Sequence, residues 1–171
     1  IQKGQKILDK HIDKLANFRY TVLEFGGNDC NYNWEEIADN PEKEHLPAVP
    51  LTTFQETYGQ IIQRVKSAVS SPVLCSLPPL NASRFFDWVS RGLNKDNIMA
   101  WLGDIHFIYR WQESYNSAVI KLSQLYDVPL IDIRTVFLNH RRYDELICID
   151  GMHPSKKGHA LINGLLTDLR F

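Results

Sequence analysis

The sequence lacks features that would mark several large classes of protein. No apolar run approaches the roughly 20 residues needed to cross a bilayer, so we predict no membrane span. The 19 basic and 20 acidic side chains are well mixed and give a formal net charge of −1. Nucleic-acid surfaces need a basic excess, so this balance argues against DNA or RNA as a partner.

Cysteine is also scarce. Cys30, Cys75 and Cys148 are widely spaced, and an odd count without a Cys-x-x-Cys pair argues against a disulfide framework or a zinc site. We therefore expect reduced, mostly buried thiols. No secretory signal sequence is visible, and the chain begins at Ile1 rather than at methionine. These features favour a cytoplasmic location and lead us to expect that the sequence starts inside a longer protein.

The apolar periodicity predicts one domain, residues 1–171, in which helices and strands alternate. The predicted strands are 20–25, 72–76 and 128–133. The predicted helices are 5–17, 53–69, 105–126, 134–140 and 155–169, with one or two short helices within 82–103. The polar, proline-bearing stretch 29–50 is predicted to be a long loop, and Thr53 and Glu56 form an expected capping box for the next helix.

Strands separated by amphipathic helices imply parallel pairing through right-handed crossovers. Because the strands are apolar without alternation, both faces of the sheet should be covered. We therefore predict an α/β fold, a three-layer α/β/α sandwich with a parallel sheet and a flavodoxin-like outline. Three strands are few for this many helices, so we expect an N-terminal strand to be missing from this sequence. The alternative is a small complete fold with an unusual number of helices.

The first candidate motif is the run Gly26-Gly27-Asn28-Asp29, which comes directly after the first predicted strand. Ligands of open parallel sheets bind beyond the carboxyl ends of the strands, so topology alone places Asn28 at the functional edge. The glycines permit a sharp turn and a close backbone approach to a ligand. An amide N–H aimed at a forming oxyanion is worth about 2.7–4 kcal/mol in comparable sites. Because the same residues are turn formers, a simple strand-to-loop turn explains the run equally well.

The second candidate motif is Asp150-Gly151-Met152-His153-Pro154, just before the last predicted helix. A spacing of three residues on a tight loop lets the Asp150 carboxylate reach the Nδ1–H of His153. The carboxylate then fixes the histidine tautomer and stabilises the imidazolium when it forms. Histidine is suited to general-base catalysis at neutral pH. From these residues alone, the alternative is that Asp150 caps the last helix and His153 is a surface residue.

Together the two runs resemble two blocks of the SGNH hydrolases, also called the GDSL family of esterases and lipases. The first run matches the family's Gly-x-Asn-Asp block, and the second matches its terminal Asp-x-x-His block with the adjoining proline. The resemblance extends over essentially the whole chain. It implies the SGNH hydrolase fold, with His153 as the catalytic base, Asp150 as its orienting partner and Asn28 as an oxyanion-hole donor.

The nucleophile block of that family is absent. No Gly-Asp-Ser precedes Gly26, and no Gly-x-Ser-x-Gly occurs in the chain. The resemblance therefore implies that the serine comes from a segment outside this sequence, which could be a separate chain, and that this chain alone is inactive. Ser76 lacks the context of a nucleophile elbow and is expected to be a loop serine. Ser155 is expected to cap the last helix.

The activity that the resemblance implies is hydrolysis of carboxylic esters through a Ser-His-Asp triad. The partner is a small-molecule ester with a short acyl group or an acetylated carbohydrate, and no metal or organic cofactor is implied. The candidate substrate contacts are Gly27, Asp29, Tyr32 and Trp34, although aromatic residues at such spacing are more often core. A non-catalytic binding or scaffold domain that keeps the pocket is the alternative.

Overall fold

The computed structural model describes residues 1–168, which form a helix-rich α/β fold around a parallel sheet. The strands are β1 (Tyr20–Leu23), β2 (Ser71–Cys75) and β3 (Leu130–Ile131). The helices are α1 (Gln2–His11), α2 (Trp34–Asp39), α3 (Leu51–Ser67), α4 (Ala82–Val89), α5 (Lys95–Leu102), α6 (Phe107–Leu125), α7 (Ile133–Leu138) and α8 (Lys156–Asp168). Short 3-10 helices lie at Ile12–Asn17 and Tyr143–Leu146.

The sheet has the strand order β1-β2-β3, and both pairings are parallel. Val22 of β1 lies opposite Val73 of β2, and Cys75 of β2 lies opposite Ile131 of β3. Each crossover contains a helix, which is the arrangement that the alternating pattern predicted. All three strands therefore direct their carboxyl ends to the same edge.

Helices cover the two faces of the sheet. Leu74 of β2 belongs to a core cluster with Phe54 of α3 and Val119 of α6. Val73, the preceding residue, belongs to a cluster on the opposite face with Phe137 of α7. Successive strand residues point to opposite faces, so this division confirms the predicted three-layer α/β/α sandwich.

A third apolar cluster lies apart from the sheet. It is built from α2, α4, α5 and the first turn of α6, and its buried members include Trp34, Phe85, Ile98 and Ile108. Leu80, which comes after β2 along the chain, also belongs to it. We call these residues the aromatic cluster; its members Trp34, Leu80 and Phe85 line a small pocket together with Gly27.

The prediction of a loop over 29–50 is wrong in part, because α2 lies within it. Asn33 caps this helix: its side-chain oxygen accepts a hydrogen bond from the backbone N–H of Glu36 at 3.3 Å. Trp34, Ile37 and Ala38 are buried against the aromatic cluster. The helix has only six residues, so it carries too little periodicity to be recognised by that signal.

Two further boundaries differ from the predictions. Helix α3 begins at Leu51, directly after Pro50, and no side-chain cap is formed, so the capping box of Thr53 and Glu56 is wrong. Strand β3 is only two residues long, because Asp132 already caps α7 by accepting a hydrogen bond from the N–H of Thr135 at 3.0 Å. A local cap therefore ended a strand that the apolar pattern extended to residue 133.

Helix ends also differ. The predicted helix 5–17 is α1 with a 3-10 helix after it, and the side chain of Ile7 in α1 is 52% exposed. Val69, the last residue of the predicted helix 53–69, lies beyond the end of α3 with φ at 61° and is 81% exposed. Leu169, the last residue of the final predicted helix, lies outside the described residues. Among the helices described, none combines the length and apolar character that crossing a bilayer requires.

Candidate active site

The loop that carries Asn28 is a tight turn at the carboxyl end of β1. Gly26 is buried and adopts φ of +128°, a conformation that residues with a side chain rarely adopt. A Cβ at Gly26 would also lie 2.9 Å from Cδ1 of Leu77. Asn28 is exposed, and within residues 1–168 its side-chain amide makes no hydrogen bond to the protein. The turn therefore presents this amide outward with its donors available.

The neighbouring carboxylate holds the turn in shape. Asp29 is buried, and its Oδ2 accepts a hydrogen bond from the backbone N–H of Gly26 at 2.9 Å. The backbone N–H of Cys30 closes the turn by donating to the carbonyl of Gly26 at 2.9 Å. Asp29 therefore stabilises the turn, and its contribution to substrate binding stays a prediction.

The loop before α8 brings Asp150 and His153 into direct contact. The Nδ1 atom of His153 lies 2.8 Å from Oδ2 of Asp150. The other carboxylate oxygen, Oδ1, accepts hydrogen bonds from the backbone N–H groups of Met152 at 2.9 Å and of His153 at 3.0 Å. The Asp150 carboxylate therefore fixes both the backbone of the loop and the histidine ring. Ser155 caps α8 as predicted, with its Oγ accepting from the N–H of Gly158 at 3.2 Å.

These hydrogen bonds determine the charge of Asp150. Partial burial acts to raise its pKa, but the hydrogen bonds from Met152 and His153 outweigh burial and hold the pKa below its usual value. The carboxyl group is therefore ionised at neutral pH and can only accept a hydrogen bond. The Nδ1 atom of His153 must then carry the proton, which leaves Nε2 free to accept one.

Gly151 allows the Asp150 loop to pack tightly against α4. It adopts φ of +75°, and a Cβ there would lie 2.3 Å from the backbone nitrogen of Phe85. Its carbonyl accepts a hydrogen bond from the N–H of Asn81 at 2.8 Å. On the other side, an antiparallel bridge joins Ile147 to Pro154. The Asp–His pair is thus mounted on a rigid loop although His153 itself is exposed.

Asn28 and His153, far apart along the sequence, line the same cavity. It has a volume of about 630 Å³ and lies beyond the carboxyl end of β1; we call it the active-site cavity. The predicted residues Gly27 and Asp29 also line this cavity, together with Gln112, Met152 and Pro154. The structure therefore brings together the two runs that the sequence singled out.

A second, much smaller space adjoins the active-site cavity, and we call it the narrow pocket. Its volume is about 20 Å³, and Gly27, Gln112 and Met152 line both spaces. The predicted residues Tyr32 and Trp34 line the narrow pocket but not the active-site cavity. The four predicted substrate contacts are therefore divided between two adjoining spaces.

Cys30 and Ser76 both lack the surroundings that would activate them as nucleophiles. Cys30 lines the narrow pocket, but burial, together with the nearby Asp29 carboxylate, raises the pKa of its thiol to about 12. Ser76 is fully buried, donates a hydrogen bond to Oδ1 of Asp132 at 3.1 Å and accepts one from the N–H of Arg134 at 2.9 Å. It lines neither of the two spaces, as expected for a structural serine.

Sequence reasoning missed Gln112, whose amide is held at both ends. Its Nε2 donates to the carbonyl of Pro78 at 2.8 Å, and its Oε1 accepts from Nη1 of the buried Arg134 at 2.9 Å. The signal was a polar residue on the inward face of α6, four residues after Ile108 and three before Tyr115. On a helix those positions share one face, so a polar residue there marks a buried hydrogen-bonding site.

Comparison with known proteins identifies the class. Residues 4–161 match the model of the GDSL-like lipase/acylhydrolase family, and the parallel three-layer fold is that of the SGNH hydrolases. The chain therefore belongs to the GDSL-like lipase/acylhydrolase family. No curated protein matches it by sequence.

Solved structures agree on the fold. A lipase/acylhydrolase from Enterococcus faecalis superposes with a TM-score of 0.66 at 18% identity over 96% of this chain and 67% of its own. An acetylxylan esterase from Geobacillus stearothermophilus superposes with a TM-score of 0.57 at 16% identity, over 94% of this chain and 64% of its own. A GDSL-like lipase from Bacteroides thetaiotaomicron superposes with a TM-score of 0.56 at 14% identity, over 87% of this chain and 60% of its own. The chain thus spans between 60% and 67% of the length of these three structures.

Proposed function

We propose that this chain carries the oxyanion-hole and acid–base parts of a serine esterase that hydrolyses carboxylic esters. The observation that carries the proposal is that Asn28 and His153, whose ring is hydrogen-bonded to Asp150, line one cavity. Membership of a lipase/acylhydrolase family supports hydrolysis of esters in general. The roles of the three residues are inferred from their geometry and chemistry.

In this proposal the serine nucleophile comes from a segment outside the present sequence, either upstream in the same polypeptide or in a separate chain. Within residues 1–168, β1 is an edge strand that pairs only with β2. Val22 of β1 is 54% exposed, whereas Val73 opposite it is fully buried. Because parallel sheets are normally covered on both faces, this edge suits a further strand and its connecting helix. Such a strand would end beside the active-site cavity.

The reaction runs in two acyl-transfer steps. The serine Oγ attacks the ester carbonyl carbon while Nε2 of His153 takes its proton, and the imidazolium returns that proton to the departing alkoxide as the C–O bond breaks. Water then attacks the acyl-enzyme, again giving its proton to His153, and the serine is released with that proton. The products are the carboxylic acid and the alcohol. Asp150 keeps its charge and stabilises the imidazolium formed in each step.

Asn28 acts on the carbonyl oxygen. Asn28 lines the cavity that His153 also lines, and in this proposal its side-chain N–H donates to the oxygen and stabilises the negative charge that develops in the tetrahedral intermediate. Such a donor is held in place before the reaction and costs little reorganisation. The tight turn at Gly26, held by the Asp29 carboxylate, supports this role.

The proposal is tested by comparing two polypeptides on a short-chain nitrophenyl ester. The 171-residue chain alone should show no hydrolysis above buffer, and the chain with its upstream segment restored should show clear turnover. Turnover by the chain alone would contradict the external nucleophile. If the extended polypeptide folds and binds ester analogues but does not hydrolyse them, the protein is the binding or scaffold domain instead.

A further inference from the structure

We propose that the narrow pocket is the acyl site and that it admits an acetyl group and excludes longer acyl chains. This inference rests on the proposed esterase function and deepens it by naming the acyl part of the substrate. It is carried by the position of the narrow pocket relative to His153, by the pairing of its polar groups and by its size.

The position of His153 decides which half of the ester enters the narrow pocket. His153 must return a proton to the leaving alkoxide, so the alcohol half lies on its side, and His153 lines the active-site cavity but not the narrow pocket. Asn28, which holds the carbonyl oxygen, is preceded by Gly27, which lines both spaces. The acyl substituent, on the side of the carbonyl carbon away from the alkoxide, is thereby directed past Gly27 into the narrow pocket.

Four of the polar side chains that line the narrow pocket already have hydrogen-bond partners in the protein. The indole N–H of Trp34 donates to Oδ1 of Asn31 at 2.8 Å, and the indole N–H of Trp111 donates to the carbonyl of Cys30. The Cys30 thiol donates to the carbonyl of Gly27 at 3.3 Å. The amide of Gln112 is bound at both ends, to Pro78 and Arg134.

The surface that the pocket offers is consequently aromatic and apolar. Tyr32 packs against both Trp34 and Trp111, with ring centroids 5.9 and 5.0 Å apart. A hydroxylated group placed there would give up its hydrogen bonds to water and find few partners among these rings, which is costly. A methyl group loses nothing of that kind and gains contacts with the rings.

Size limits the length of the acyl group. The volume of the pocket is about 20 Å³, and one water molecule needs roughly 10–15 Å³ by this kind of measure. A methyl group is comparable in size to a water molecule, so the methyl of an acetyl group fills the space. The two additional methylenes of a butyryl group would have to displace the packed rings of Tyr32, Trp34 or Trp111.

The first test measures acyl-chain preference in the extended polypeptide with p-nitrophenyl acetate, butyrate and hexanoate. One methylene too many in a closely fitting apolar pocket is worth roughly 10- to 200-fold in kcat/KM. We expect kcat/KM to fall at least tenfold from acetate to butyrate and further to hexanoate. Equal or rising values along the series would overturn the proposal while leaving the esterase function intact.

The two methionines of the chain provide a matched pair of variants. Met152 lines the narrow pocket, whereas Met99 packs on the same aromatic cluster without lining it. Met152→Ala should enlarge the pocket, because alanine has a shorter side chain. The vacated space should admit one to two further methylenes, so the acetate-to-butyrate ratio of kcat/KM should fall by about tenfold. Met99→Ala should leave the ratio unchanged. An unchanged ratio in Met152→Ala, or an equal change in both variants, would contradict the acyl-site assignment.

A binding measurement separates this inference from the catalytic proposal. The extended polypeptide is labelled with 5-fluorotryptophan, and its ¹⁹F NMR resonances are assigned by single Trp→Phe variants. N-methylacetamide should shift the resonances of Trp34 and Trp111, which line the pocket, and not that of Trp88, which does not; N-methylhexanamide should shift none of them.

If these shifts are seen but the extended polypeptide hydrolyses no ester, the proposed esterase function is refuted and the assignment of an acetyl-sized pocket is supported. If esters are hydrolysed but neither Trp34 nor Trp111 shifts, the assignment of the pocket is refuted and the esterase function is supported. The same conclusion follows if esters are hydrolysed and both amides cause equal shifts.

Discussion

The Asp150 carboxylate is the residue on which the proposed catalytic geometry depends most directly. It binds two backbone N–H groups of its own loop as well as the ring of His153. Because its ionised form holds these bonds, the same interactions that orient the histidine lower the pKa of the carboxyl group. The orientation of the His153 ring and the stability of its loop are therefore coupled through one side chain.

This coupling gives a pH-dependent prediction. The folded-state pKa of Asp150 lies below the unfolded value of about 3.9. The carboxylate therefore stabilises the fold above that value, and its contribution is lost as the pH falls through the folded pKa. In urea unfolding, Asp150→Asn should lower the free energy of unfolding at pH 7, and its difference from wild type should shrink toward pH 2. A difference that stays constant between these pH values would contradict the assignment.

The adjacent glycines of the Asn28 turn should respond differently to alanine. Gly26→Ala places a side chain at φ +128° and 2.9 Å from Leu77, so it should destabilise by about 1–3 kcal/mol in urea unfolding. At Gly27 an added Cβ meets nothing within 4 Å. Gly27→Ala should therefore keep the stability and still reduce ester turnover in the extended polypeptide, because the methyl group projects into space that the substrate needs. Similar losses of stability in both variants would contradict this account of the turn.

At the level of elements, α6 and α7 are joined by a buried polar network centred on Arg134. Its guanidinium donates to the carbonyl of Leu77 at 3.2 Å and to Oε1 of Gln112 at 2.9 Å. Nη2 lies 2.6 Å from a carboxylate oxygen of Glu113, although the angles there are poor for a hydrogen bond. The network fixes Gln112 where the active-site cavity and the narrow pocket meet.

Removing this guanidinium should be costly. Arg134→Met leaves two buried acceptors unpaired, at about 1–3 kcal/mol each, so the free energy of unfolding should fall by roughly 2–6 kcal/mol. The matched control is Arg141→Met, since Arg141 is exposed and surface substitutions usually change stability by no more than about 0.5 kcal/mol. Equal effects of the two substitutions in urea unfolding would refute the structural importance of the network.

Which elements could be predicted depended on whether their signal was local. The amphipathic stripes of α3 and α6 and the apolar run of β2 are properties of consecutive residues, and they placed these elements within a few positions. Helix α2 escaped because six residues hold less than two turns; the informative signal was Asn33 three residues before Glu36. The early end of β3 depended on Asp132 capping α7, which competes with the strand pattern.

At the scale of the whole molecule, the two motifs predicted which residues meet, and the topology explains why. Parallel strands send the Asn28 turn and the loop after β2 to one edge, and the loop carrying His153 packs onto that region through Gly151 and Phe85. The narrow pocket could not be predicted in this way. Its lining comes from segments scattered between Gly27 and Met152, and its size depends on packing that no local pattern specifies.

The most direct measurement of the central claim compares His153→Ala with His159→Ala in the extended polypeptide, using kcat/KM for a short-chain nitrophenyl ester. His153 bonds Asp150 and lines the cavity with Asn28. His159 is also exposed, lies further along the chain in α8, and does not line that cavity. Loss of a triad base costs several orders of magnitude, so His153→Ala should abolish nearly all turnover while His159→Ala retains most of it. Equal losses in the two variants would contradict the account.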